Sequence, residues 1–196
     1  MPGCYSPGGI EIEGAIAVVV AGTIEEAGAR LGKALAVGPG VSTIRLLLDP
    51  TSEQFASWLE AAKAASREVR GQMVQGLFGR LFAKAGYEVE LGQELDIFAK
   101  GRLRSLLVEV KSSLDGGSFG SQNGITQLEG YLTASERRRA QRWLGTMGIN
   151  NPIELSPLMR AYMRVGNVGL VEVRWVAPED TLPPYLSSVG QCDATG

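Results

Sequence analysis

Apolar and polar positions change their period several times along the chain, and each change predicts an element. Residues 10–21 are mostly apolar and read as a buried strand. Residues 23–37 follow as an alanine-rich helix, with Glu25 and Glu26 placed in its first turn, where they favour the helix dipole. Gly38, Pro39 and Gly40 force a turn before a second apolar run over 43–48. Asp49 and Ser52 can cap a long helical stretch over 53–85. Within it Phe55, Trp58, Leu59 and Ala62 recur at helical spacing, as do Met73, Leu77, Leu81 and Phe82. Gly71 predicts a break in that stretch. Beyond Gly86 the pattern shortens to strands over 87–91, 94–99 and 103–111. A glycine- and serine-rich loop over 115–124 leads to a predicted helix over 125–144, and residues 153–155 and 169–176 read as closing strands.

Three units follow: an N-terminal α/β extension over 1–66, opened by a disordered lead; a core over 67–176; and a tail over 177–196. Charge marks the same divisions. The formal net charge of −2 conceals a middle section, residues 67–176, with 15 basic against 11 acidic residues, while both flanks are acidic. A mildly basic core inside an acidic chain favours an anionic partner there over an acidic one.

Composition removes several chemistries. The chain of 196 residues contains no histidine, which excludes Ser-His-Asp and Cys-His nucleophile systems and zinc sites built on imidazole. Acid–base or metal chemistry must rest on carboxylates, lysine, tyrosine or backbone groups. Cys4 and Cys192 form neither a disulfide framework nor a metal cluster and fit a cytoplasmic setting. No run approaches the roughly 20 apolar residues of a membrane span. Gly22, Gly28 and Gly32 do not have the spacing of a dinucleotide-binding loop.

The chemistry concentrates between Leu95 and Ser113. Side chains alternate along a strand, so Glu109 and Lys111 share one face of the strand over 103–111 while Val108 and Val110 take the other. If the strands over 94–99 and 103–111 form a hairpin turning at residues 101–104, Asp96 lies opposite Glu109 and Phe98 opposite Leu107. Directly opposed residues have Cβ atoms about 5 Å apart. Two carboxylates at that separation repel unless a proton or cation lies between them. With Lys111 two residues along, the arrangement predicts a hard-cation site beside a fixed positive charge.

Asp96, twelve intervening residues, then Glu109-Val110-Lys111 resembles the signature of the PD-(D/E)XK nucleases. Gln127-Leu128-Glu129-Gly130-Tyr131 is similar to the Q-x-x-x-Y motif of their RecB-like branch. The resemblance spans residues 71–176 and implies a restriction-endonuclease-like α/β core: a mixed central sheet flanked by helices. It further implies that Asp96, Glu109 and the Val110 carbonyl hold Mg²⁺ or Mn²⁺, that Lys111 positions the attacking water, and that Gln127 and Tyr131 hold the substrate. The activity implied is hydrolysis of phosphodiester bonds in nucleic acid, with DNA the expected substrate. Two departures stand out. Leu95 replaces the first proline of the signature. The helix before the sheet, where the family often carries a further glutamate, offers Gln72 and Gln75, with Glu68 the nearest acid. Arg137, Arg138 and Arg139, with Arg142 one helical turn on, are expected to attract the nucleic-acid backbone, and Trp143 beside them to be core. The missing carboxylate suits an alternative, a catalytically silent module gripping nucleic acid or a protein on the same fold. The small-residue-rich acidic lead also suits a nuclease toxin or effector domain.

Overall fold

The computed structural model describes residues 10–38, 40–92, 96–121, 124–126, 128–130 and 139–176. The expected lead over residues 1–9 and the tail over 177–196 lie outside them.

The first apolar run forms two strands rather than one. β1 (Ile10–Glu13) and β2 (Ile16–Ala21) pair antiparallel across a turn in which Gly14 takes φ +59°, a left-handed conformation that costs glycine little. α1 (Ile24–Ala36) starts at Thr23, whose side chain accepts from the Glu26 N–H, and buries Ala27, Leu31, Ala34 and Leu35. β3 (Thr43–Leu48) then lies parallel to β2.

The long helical stretch is broken, but not at Gly71. α2 (Glu53–Ala64) and α3 (Arg67–Lys84) meet at Ala65, which is extended, and Ser66 caps the new helix by accepting from Val69 N–H. Arg70 holds the break. Its Nε donates to the Ala62 carbonyl at 2.9 Å and its Nη2 to the Ala65 carbonyl at 2.7 Å, satisfying acceptors that the end of α2 leaves open. Gly71 lies inside the first turns of α3, with open space where a side chain would stand.

β4 (Glu88–Leu91), β5 (Ile97–Lys100) and β6 (Ser105–Ser113) form an antiparallel meander, with Phe98 opposite Leu107 as the alternation requires. The expected loop over 115–124 contains a short strand, β7 (Gly117–Phe119), paired parallel to β9 (Ile153–Leu155). Residues 124–126 and 128–130 are helical and are labelled α4.

The predicted helix over 125–144 is corrected at its C-terminal end. Ala140–Gly148 is a strand, β8, lying between β6 and β10 (Gly169–Trp175) and parallel to both. A strand buried on both faces loses the clean alternation that marks a half-exposed one, and the preceding arginine run imitates helix composition. Between β9 and β10 lies α5 (Pro157–Val165), capped by Ser156.

The large sheet runs β1-β2-β3-β10-β8-β6-β5-β4, with five parallel strands in the middle and antiparallel pairs at both ends. The fold is therefore α/β with a mixed central sheet flanked by helices. β2 and β3 belong to the same sheet as the strands beyond residue 67. Helices α1, α2 and α3 cover one face, over a core containing Phe55, Phe78, Phe82 and Trp143. A smaller cluster on the opposite face joins Leu128, Leu144, Met159 and Met163. That second face carries the charged side chains, because Glu109, Lys111, Glu172 and Arg174 alternate with residues committed to the main core.

Candidate functional site

Asp96 sits one residue before β5, and extending the β5–β6 register places it opposite Glu109, as the hairpin reading requires. Asp96 is fixed from two directions. Its Oδ2 accepts from the Val110 N–H at 2.8 Å, and its own carbonyl accepts from Gln75 Nε2 at 2.6 Å. The Val110 N–H therefore faces the β5 flank of β6, level with Asp96. The N–H and C=O of one strand residue point to the same side, so the Val110 carbonyl faces that flank too.

Glu109 is buried, and its Oε1 lies 2.7 Å from Lys111 Nζ. The ammonium also lies 5.9 Å from the centre of the Phe119 ring, which reaches it from β7. Burial, then the neighbouring Glu109 charge and a hydrogen bond between the two side chains, push the Asp96 carboxyl up to about 6 against a lowering contribution from the Val110 N–H. Asp96 thus holds its proton more firmly than a free carboxyl does. A divalent cation would relieve the same repulsion, and an all-oxygen donor set is the kind that Mg²⁺ or Mn²⁺ selects. The residues present therefore fit such an ion.

A pH dependence follows. Any Mg²⁺ held by the pair would have to displace the Asp96 proton, so its affinity should fall by about tenfold per unit as pH drops below about 6. Titration calorimetry between pH 5 and pH 8 checks this, and an affinity flat across that range would count against the pair as ligands. The effect on the metal-free fold has the opposite sign. A carboxyl that binds its proton more tightly when folded makes the fold lose stability as pH climbs from the ordinary 3.8 to about 6.

Gln75 answers the departure noted in the helix. α3 does reach the site, but through an amide that orients the Asp96 backbone and not through a carboxylate. Glu68 lies seven residues earlier, about 10 Å along the helix axis, and is exposed. Among the described residues no group of three or more His, Cys, Asp or Glu side chains is placed to hold a metal.

Gln127, Tyr131, Arg137 and Arg138 lie outside the described residues. Arg139 is described, at φ +51° immediately before β8. Arg142 is corrected: it does not stand one turn on from that run but lies buried within β8. Its Nη1 donates to the Leu128 carbonyl at 3.1 Å and to Tyr162 Oη at 2.8 Å, and its Nη2 to the Gly166 carbonyl at 3.2 Å. Tyr162 passes the link on to Glu129 at 2.6 Å. Arg142 therefore fastens α4 and α5 to the sheet. Arg142→Ala should destabilise the fold by about 2–4 kcal/mol, since three acceptors lose their donor. Thermal unfolding checks this, and a melting point within a degree of the parent's would overturn it. Trp143 is fully buried, as expected.

Two residues of the site had no forewarning. Phe119 belongs to the stretch read as loop. Thr146 stands opposite Lys111 in the β6–β8 register, and its buried hydroxyl has no hydrogen-bond partner among the described residues. Alternation along β8 would have exposed Thr146 had that segment been read as a strand.

Among the described residues no helix is long and apolar enough to cross a membrane. No family model matches the chain, and no curated protein does. Among solved structures, the crystal structure of a protein of unknown function, AF1548, is similar at 16% identity with a TM-score of 0.39, covering 49% of this chain and 54% of that one. The match thus spans about half of each chain, and at this level it says nothing of function.

Proposed function

We propose that the chain is a divalent-metal-dependent nuclease of the PD-(D/E)XK kind, hydrolysing phosphodiester bonds, with DNA its expected substrate. The observation that carries this reading is the crowded carboxyl pair: Asp96 and Glu109 share one spot on the sheet, with Lys111 Nζ fixed 2.7 Å from Glu109. Asp96, Glu109 and the Val110 carbonyl would hold Mg²⁺ or Mn²⁺. Such an ion, when bound, makes its water more acidic and polarises a phosphoryl oxygen.

The protein's own groups do the rest. Gln75 and the Val110 N–H hold Asp96 in place, so that its carboxylate need not reorganise. Lys111 carries three N–H donors and uses one toward Glu109. The others can orient a water for attack or offset charge growing on the phosphate oxygens. The basic side chains of residues 67–176 supply backbone attraction that does not depend on base sequence.

A second reading, a catalytically silent binding module, is favoured by one observation: α3 presents Gln75, not an acid, to the site. Incubating the protein with linear, circular and single-stranded DNA, and with RNA, separates the two. Cleavage with Mg²⁺ or Mn²⁺ that chelator stops is the expected result. Full cleavage in excess chelator would overturn the proposal, and metal binding without cleavage of any substrate would favour the silent module.

A further inference from the structure

On the same sheet face as the carboxyl pair, but two strands further along, lies a cleft of about 500 Å³ between β3, β10 and α5. The register sets it in line with the first site: Lys111 stands opposite Thr146, Thr146 opposite Glu172, and Glu172 opposite Arg45. Four arginines line the cleft, Arg45, Arg160, Arg164 and Arg174, against two acids, Glu154 and Glu172.

The arginines are arranged, not merely numerous. Glu172 is buried, and one oxygen of its carboxylate, Oε1, accepts from Arg45 Nε at 2.9 Å and from Arg174 Nε at 2.6 Å. Each guanidinium is gripped by its inner nitrogen, which leaves the terminal pair for other partners. Arg174 Nη2 makes a long contact of 3.5 Å with Glu154, and the terminal nitrogens of Arg45 have no hydrogen-bond partner among the described residues. Arg160 and Arg164 rise from the opposite wall, one turn apart on α5. Arg160 touches Glu154 at 3.8 Å, and Arg164 makes no ion pair among the described residues. A buried carboxylate that sets two guanidinium forks, facing two more across a cleft, is a preorganised receptor for an oxyanion.

Charge and size select the anion. The lining carries two more positive than negative charges, which matches a phosphate monoester at about −2 near neutral pH. The volume lies within the range of small-molecule sites, about 300–1,000 Å³, and is far larger than a bare phosphate needs. Met163 and Leu170 add apolar wall beside the arginines.

We propose that this cleft is a second binding site, for a terminal phosphate carried on a nucleotide, either a free mononucleotide or the phosphorylated end of a nucleic-acid strand. It uses none of the metal-site residues, while the choice of a nucleotide as the phosphate's carrier rests on the nuclease reading.

The test is titration calorimetry of the full chain with a nucleoside 5′-monophosphate, the matching nucleoside, inorganic phosphate, and oligonucleotides with and without a 5′-phosphate. The mononucleotide should bind at least about tenfold more tightly than the nucleoside, as expected when charge-assisted hydrogen bonds are lost. It should also bind more tightly than inorganic phosphate. Paired substitution Arg160→Ala with Arg164→Ala, both on the exposed side of α5, should weaken it by a similar factor. Glu172→Gln should weaken it as well, by releasing the two forks, with circular dichroism checking that this variant folds. Should it not fold, the α5 pair still decides. In metal-free buffer containing chelator, Asp96→Asn should leave mononucleotide binding unchanged, which separates this cleft from the carboxyl pair. A loss there would place the binding at the carboxyl pair and overturn the proposal. A strand end is the source if the phosphorylated oligonucleotide exceeds its unphosphorylated twin, and a free nucleotide if only the mononucleotide binds. Equal binding of nucleoside and nucleotide, or parental affinity in the α5 double variant, overturns the proposal.

Discussion

Asp96→Asn or Glu109→Gln should reduce nucleic-acid cleavage to background while leaving a folded protein. Each substitution removes one of two carboxylates from a site where, among the described residues, no third acid joins them. A hard cation then loses half its anionic ligands. Asp96→Asn carries a second expectation that separates function from stability. Burial and the Glu109 charge disfavour the ionised Asp96 carboxylate, so a neutral amide that still accepts from the Val110 N–H relieves a cost borne at neutral pH. This variant should melt at or above the parent's temperature and yet not cut. An inactive variant that had also lost several degrees of melting temperature would mean that the residue serves the fold. Retained cleavage would remove Asp96 from the mechanism.

Lys111→Met should lower the cleavage rate at saturating substrate by about two orders of magnitude or more, the size of one lost electrostatic or proton-transfer contribution. The methionine keeps the length of the stem and its packing beside Phe119. Mg²⁺ binding at neutral pH should persist, because the ammonium is not a ligand and its charge opposes the ion. Rate and affinity therefore part company in this variant, which a purely structural Glu109–Lys111 ion pair would not predict. Parallel measurement of turnover and of calorimetric Mg²⁺ affinity makes the comparison. If turnover falls only in step with metal affinity, Lys111 is a support for Glu109 and nothing more.

How much of this was readable beforehand depended on how local the cause was. The β5–β6 hairpin could be read because alternation and a polar turn occur within one short window, and so the meeting of Asp96 with Glu109 could be read with it. β8 could not. Its Arg142 is satisfied by Leu128, Tyr162 and Gly166, partners 14 to 24 residues away, so a charged side chain stands in a buried strand without any local sign that it is paid for. β7 is three residues long and exists only through pairing with β9. α5 differs, since Ser156 followed by Pro157 is a recognised helix start and was there to be read. The arginine cleft was invisible for a topological reason. Arg45 and Glu172 are 127 residues apart and meet only because β10 inserts beside β3.

That insertion sets a timetable for the chain as it leaves the ribosome. β3 is made early and β8 late, yet neither has its inner neighbour until β10, the last of the described strands to be synthesised, arrives between them. Until then each presents an unpaired edge, and β2 with β3 is a fragment waiting for a distant partner. Closing such long-range parallel pairings is slow, because the entropy of loop closure is lost before the contacts form. Completion of the sheet therefore waits on a single strand that zips two half-sheets together. A nascent chain stalled before residue 169 would hold both halves apart and exposed, a natural client for chaperones and an early target for proteases.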